Sequence, residues 1–147
     1  MIPPLDEYGC LPEGIHDSTI DEAAGRFGVF QTSDRRLQLW AKFTEFMREL
    51  RVCDFMEAVL VDGSFVTGTP EPNDIDLVLV VESNYDLSTD LPPVAYNLLA
   101  HQRVQRRFGF DIVVVKNDSE NLKQAVAFFQ QVKQRPDLKK GILRIKV

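Results

Sequence analysis

Hydrophobic positions along this chain follow two patterns. Short apolar runs at residues 58–61, 74–81 and 110–115 are rich in β-branched side chains, and each predicts a strand. Residues 142–147 form a last short candidate strand. Between these runs the apolar positions recur at helical spacing. Ser33 and Asp34 open the clearest helix, which runs to about Val52 with a stripe of Leu37, Trp40, Phe43 or Ala41, Met47 and Leu50. Ser18 or Thr19 caps an earlier helix reaching about Arg26 and stopped by Gly28. Pro92 and Pro93 suit the first turn of a helix that reaches Arg107 and ends at Gly109. Ser119 or Asn117 caps another that extends to about Val132, before the break at Pro136. Residues 1–15 carry Pro3, Pro4, Gly9, Pro12 and Gly14 and read as an extended arm. No internal repeat or low-complexity tract interrupts this order.

The acids at the strand starts constrain how the strands join. Side chains alternate along a strand, so Asp74 and Asp76 share one face while Ile75 and Leu77 point to the other. If Gly63-Ser64, just after the 58–61 run, meets Asp74 at the start of the next, those two strands are antiparallel. For Asp111 to join the same acids, the 74–81 and 110–115 strands must be parallel neighbours. Parallel strands need a crossover, and the 92–108 helix supplies it. The expected fold is α/β (α+β): a small mixed sheet with helices mainly on one face, the 34–52 and 92–108 helices covering the side of Ile75 and Leu77. A single domain spans 1–147, with a core at about 34–132 and a tail or short strand at 137–147. Lys116 lies at the far end of the 110–115 strand, roughly 16 Å from Asp111 at ~3.3 Å per residue, too far for the same site.

Composition narrows the setting. A chain of 147 residues with 44% hydrophobic and 27% charged positions is long enough for a real core and fits a globular protein. The net charge of -5 argues against general nucleic-acid binding, which goes with a basic face. Cys10 and Cys53 lack metal-type spacing, and a reducing cytoplasmic setting without a disulfide is the expectation. No signal peptide and no apolar run of the ~20 residues that a membrane helix requires is visible.

The candidate chemistry sits in 61–81, VDGSFVTGTPEPNDIDLVLVV. Gly63 permits close backbone approach, and the Ser64 hydroxyl with neighbouring N–H groups can bind phosphate oxygens. Asp74, Asp76 and Asp111, brought together, would repel one another without a cation. Mg²⁺ or Mn²⁺ resolves this, because such ions take oxygen ligands and share their sphere with phosphates and water. Two ions ~4 Å apart could clamp an attacking and a leaving oxygen, with Asp76 between them. The plain alternative is that 72–74 is a turn with solvated acids and that Gly63-Ser64 is an ordinary turn. Thr67 reads as turn structure before phosphate contact.

With those residues in view, GSFVTGTPEPNDIDLVLV followed by GFDIVVV resembles the catalytic core of the DNA polymerase beta-type nucleotidyltransferase superfamily. The resemblance covers roughly 34–115. It implies Gly63 and Ser64 as nucleotide-binding residues and Asp74, Asp76 and Asp111 as catalytic metal ligands. The opening LPEGIHDSTIDE and closing KKGILRIKV also look like a small bacterial family of stand-alone nucleotidyltransferase-like proteins of unassigned function. The implied activity is metal-dependent transfer of a nucleoside monophosphate from an NTP to a hydroxyl on a protein, an RNA end or a small molecule. The helical or finger-like module that often grips base and acceptor is not evident. The linear order places no lysine or arginine for the triphosphate.

The competing reading is a partner-binding module, for example the antitoxin-like half of a toxin–antitoxin pair, with little activity of its own; an inert nucleotide sensor is a third. Retention of the three acids favours the enzyme. Other residues have plainer explanations. Arg103, Arg106 and Arg107 end a helix, where cations suit the dipole before any RNA contact. His16 and His101 are isolated. Trp40, Phe128 and Phe129 are expected in the core. Lys139 and Lys140 are expected to be solvated, and a phosphate role for Lys140 requires the tail to fold back over the site.

Overall fold

The computed structural model describes residues 2–28, 34–69, 72–73, 75–86, 91–132 and 135–147. A mixed sheet forms the frame, built from β1 (Gly14–Ser18), β2 (Met56–Asp62), β3 (Asp76–Val81), β4 (Asp111–Lys116) and β7 (Gly141–Lys146), in the order β1-β7-β2-β3-β4. β2 pairs antiparallel with both β3 and β7, whereas β3 with β4 and β1 with β7 are parallel. The expected antiparallel and parallel neighbours of the 74–81 strand are therefore both present. Lys116 stands opposite Val81, at the end of the pair away from Asp111.

The helices are α1 (Ile20–Ala23), α2 (Asp34–Leu50), α3 (Pro93–Leu99), α4 (His101–Phe108) and α5 (Glu120–Phe129). Thr19 caps α1 by accepting from the Glu22 N–H, and the chain continues as a π-helical turn over Ala24–Gly28. Ser119 caps α5 through the Leu122 N–H. One sheet face carries Val59, Val61, Leu77, Leu79 and Val81 and is covered by α2, α3 and α4 through Leu39, Phe43, Phe46, Leu98, Val104 and Phe108. The other face carries Ala58, Leu60, Val78, Val80, Val115 and Ile142, and α5 lies on it through Leu122, Ala125, Val126 and Phe129. A strand buried on both sides reads as a continuous apolar run, which explains DLVLVV in β3.

The helix expected over 92–108 is two helices, broken at Ala100 with φ -86° and ψ 116°. α3 buries Ala95 and Leu98, whereas α4 buries Val104 and Phe108. A continuous helix would carry the inward stripe from Leu98 onto Gln102 and Gln105. The break re-phases it onto Val104 and Phe108.

The stripe of α2 is rotated from the expected one. Arg36, Leu39, Phe43, Phe46, Met47 and Leu50 are buried, while Leu37 is 51% exposed. Arg36 occupies the inward position because several backbone carbonyls converge there. Phe128 is the second correction: it is 66% exposed rather than packed in the core, and only its neighbour Phe129 packs on the sheet. The sheet-facing stripe of α5 runs through Leu122, Ala125, Val126 and Phe129, and Phe128 falls outside it.

Both chain ends join the core. Ile2 and Leu11 from the arm, and Ile142, Leu143 and Ile145 from β7, are buried. The β6 strand (Arg135–Lys139) forms a two-stranded sheet with β5 (Gln131–Val132) and leads directly into β7. Gly141 sits in that junction where a Cβ would collide with the Pro12 carbonyl and the His16 ring.

Candidate functional site

β2 ends at Asp62, and the chain turns sharply at Gly63, whose φ of 91° suits glycine. A short 3₁₀ turn over Ser64–Val66 follows. The Ser64 Oγ accepts from the Asn73 N–H at 3.0 Å, so the hydroxyl ties the start of this loop to its return limb. Thr67 donates from Oγ1 to the Ser64 carbonyl at 2.6 Å and accepts from the Thr69 N–H, which makes it turn structure.

Two consecutive arginines at the start of α2 hold the loop. Arg36 donates to the carbonyls of Phe27 at 3.0 Å, Phe65 at 2.7 Å, Thr67 at 2.7 Å and Thr69 at 2.6 Å. Arg36 also stacks over the Phe65 ring. Burial pulls its pKa down from the usual guanidinium range, and the carbonyl oxygens compensate the desolvated charge with dipoles. Arg35 donates to the carbonyls of Pro72 at 3.2 Å and Asn73 at 3.1 Å, on the limb that leads into β3. Sequence patterning does not signal this pair, because an arginine in a helix reads as solvated.

The carboxylates form a row. Asp62 pairs with Asp76 in the β2–β3 register, and Asp76 pairs with Asp111 in the β3–β4 register. Residues opposite one another on neighbouring strands, ~4.8 Å apart, project to the same sheet face. For these three it is the α5 face, since Asp62 alternates with Val61, and Asp76 and Asp111 with Leu77 and Ile112. Of the expected residues, Gly63, Ser64, Asp76 and Asp111 thus meet at one end of the sheet. Asp74 lies outside the described residues.

A cleft of about 970 Å³ opens over this row. Gly63, Ser64, Asn73, Asp62, Asp76 and Asp111 line one side. Val113, Phe128, Phe129 and Val132 supply an apolar side, and Cys10 and Lys140 close it. The tail does fold back: the Lys140 Nζ lies 3.1 Å from the Asp62 Oδ1, with both side chains largely removed from solvent. Asp62 is the functional candidate that the linear pattern missed, and Lys140, expected to be solvated unless the tail folds back, is largely buried instead. Asp62 immediately precedes Gly63-Ser64, and that adjacency was its available signal. Burial, with the neighbouring Asp6, pushes the Cys10 thiol up and keeps it protonated at neutral pH, while Lys140 pulls the other way.

His101, at the start of α4, lies 3.2 Å from the Asp111 Oδ1 through Nε2. The arginines of α4 have structural partners: Arg107 pairs with Glu49 at 2.8 Å and Glu45 at 3.6 Å, and Arg103 bonds Asn97 and stacks over Tyr96.

Among the described residues no three His, Cys, Asp or Glu side chains form a ready-made metal-ligand group. Asp76 and Asp111 nevertheless fit an oxygen-preferring divalent cation in kind and placement. They offer carboxylate oxygens side by side on one face, Asp111 exposed and Asp76 half-buried, and Mg²⁺ takes one or two carboxylates plus water and phosphate. No helix among the described residues is long and apolar enough to cross a membrane.

The chain belongs to a family of unknown function, DUF6932, whose match spans residues 3–146. Neither the curated proteins nor the solved structures contain a match.

Proposed function

We propose that this protein, as a member of a family without an assigned activity, is a metal-dependent nucleotidyltransferase that moves a nucleoside monophosphate from an NTP to a hydroxyl acceptor. The observation that carries this reading is the register of Asp76 with Asp111 beside the Gly63-Ser64 turn, in one cleft. Asp76 and Asp111 would hold Mg²⁺ or Mn²⁺, together with Asp74 by its place in the sequence. The bound ions would neutralise charge that develops on the phosphoryl oxygens.

The protein residues have separable tasks. Gly63 allows the backbone to come close to the triphosphate, and Ser64 with its neighbouring N–H groups can donate to phosphate oxygens. The Asn73 and Arg35 contacts hold that turn at a set distance from β3. Phe128 and Val113, exposed by 66% and 44%, offer an apolar surface for the flat face of a base. Asp111 could also help to deprotonate the acceptor hydroxyl, with His101, 3.2 Å from its Oδ1, orienting the carboxylate. Phosphoryl transfer needs mostly positioning and charge neutralisation, which such a site can supply without a histidine or cysteine nucleophile.

The test is incubation of the pure protein with each NTP labelled at the α-phosphate, Mg²⁺ or Mn²⁺, and a cell extract. Label should become fixed to an acceptor with divalent metal present and should be lost in Asp76→Asn. Absence of NTP binding under every metal condition would sink the enzyme and leave a partner-binding module as the better account.

A further inference from the structure

The sequence places no obvious cation for a triphosphate near Gly63-Ser64, and the row of Asp62, Asp76 and Asp111 makes the cleft acidic. Among the described residues that line it, Lys140 is the one lysine or arginine. The geometry points to Lys140 as the phosphate-binding cation of this site, with Asp62 as the residue that holds its ammonium in place. This role rests on the nucleotidyltransferase reading for its biology, but it is a binding property that can be measured without turnover.

Three features support it. First, the stem of Lys140 is fixed at its root. Its N–H donates to the Gln130 carbonyl at 2.8 Å, and the next N–H, of Gly141, donates to the Leu11 carbonyl at 2.8 Å. Gly141 can lie against the Pro12 carbonyl only because it lacks a Cβ. The backbone that launches the side chain is therefore anchored to both α5 and the arm.

Second, the ammonium is directed rather than solvated. The Lys140 side chain is 18% exposed and the Asp62 side chain 6% exposed, with 3.1 Å between Nζ and Oδ1. A desolvated pair of this kind contributes little net stability, because the desolvation cost offsets the attraction. What the pairing achieves is to fix a positive charge on the cleft wall beside Gly63 and Ser64.

Third, the valence is right. An ammonium carries three N–H donors, and the Asp62 Oδ1 can take one. The others can meet phosphate oxygens without breaking the pair. Asp62 precedes the Gly63-Ser64 turn directly, so the cation and the backbone donors are referenced to the same point of β2.

The experiment measures binding of inorganic triphosphate with Mg²⁺ by calorimetry, on wild type, Lys140→Met, Lys140→Arg and Asp62→Asn. Lys140→Met should weaken binding about tenfold or more, the loss of a hydrogen bond to a charged group. Lys140→Arg should retain most of it. Asp62→Asn should bind at least as tightly as wild type, because the amide oxygen can still accept from the Lys140 ammonium and hold it in place while one negative charge is removed. A purely structural pair predicts the opposite, with Asp62→Asn and Lys140→Met weakening binding alike, and that result would overturn the assignment. Because Lys140→Met leaves Asp62 without its cation, the double variant Asp62→Asn/Lys140→Met serves as a folded control that should also bind weakly. Unchanged binding by the double variant, or no binding by wild type, would equally overturn it. The two claims separate cleanly. Lys140-dependent triphosphate binding without nucleotidyl transfer leaves this assignment standing and the enzyme reading fallen. Transfer with an unaltered KM for NTP in Lys140→Met does the reverse.

Discussion

Asp76 and Asp111 stand directly opposite one another on adjacent parallel strands, and that register gathers the candidate site. Parallel neighbours at the same end of a sheet must come from a crossover. Here α3 and α4 supply it, and Asp111 is the first residue of β4 after that crossover. Two carboxylates ~4.8 Å apart across the strands are poorly matched to each other and well matched to a shared cation.

Metal binding should appear as thermal stabilisation. A ligand at ~100 times its Kd stabilises by about 2.7 kcal/mol, which corresponds to a Tm rise of roughly 5–10 °C in a chain of this size. Wild type should show a saturable rise with Mg²⁺ or Mn²⁺. Asp76→Asn and Asp111→Asn should fold and lose most of it. Full retention of the shift in both variants would show that other residues bind the ion.

Arg36→Met should be the most destabilising single change in the loop region. It leaves the carbonyls of Phe27, Phe65, Thr67 and Thr69 without their donor. At ~1–3 kcal/mol for a buried acceptor left unpaired, a total loss of about 3 kcal/mol or more is expected. Arg36→Lys should recover only a minor part, since an ammonium lacks the planar fork. Urea unfolding midpoints decide it, and a loss below ~1 kcal/mol would contradict the role.

Ser64→Ala combines two effects. It removes the acceptor for the Asn73 N–H and should lower stability by about 1 kcal/mol. It should also raise the KM for NTP by about tenfold through the lost phosphate contact. Unchanged KM alongside reduced stability would confine Ser64 to bracing the loop.

Phe128→Ala should leave stability within ~0.5 kcal/mol, as for an exposed side chain. If its ring stacks on the base, NTP binding should weaken several-fold, from ~0.5–1.5 kcal/mol of aromatic contact. Binding of inorganic triphosphate should not change. Equal weakening of both ligands would rule out base stacking.

Acid stability should depend in part on Asp17. The Arg144 guanidinium donates to it twice, at 2.6 and 2.9 Å, and holds its carboxyl below the ordinary value. A depressed carboxylate binds its proton less tightly in the folded state. Its contribution is therefore present above the unfolded value of ~3.9 and disappears as pH falls through the lower folded value. Asp17→Asn should flatten stability against pH below about 4, with little change near neutrality beyond that of an exposed, salt-screened pair. An acid limb of unaltered steepness in the variant would assign it to other carboxylates.

The sequence by itself determined the central elements and much of the candidate site, but not β1, β5 or β6, and it carried α5 on to Val132 where the helix ends at Phe129. Short, continuous apolar runs marked β2, β3 and β4, the glycine and proline punctuation bounded most of the helices, and Gly63-Ser64 with Asp76 and Asp111 stood out because each opens or closes a strand. Requiring those groups to meet was enough to deduce one antiparallel and one parallel neighbour. Tertiary structure decided the rest. Nothing local says that Arg36 turns inward, because the carbonyls that satisfy it come from residues as far as Thr69. Phe128 is exposed because α5 has one sheet-facing stripe and Phe129 takes it. The helical pattern at 92–108 conceals the break at Ala100, which matters only once Val104 and Phe108 must meet the core. Asp62 and Lys140 are separated by about half of the chain and meet because β7 enters the sheet beside β2. Periodicity reports which side of an element is buried, whereas the partner across a long-range contact is set by strand order and packing.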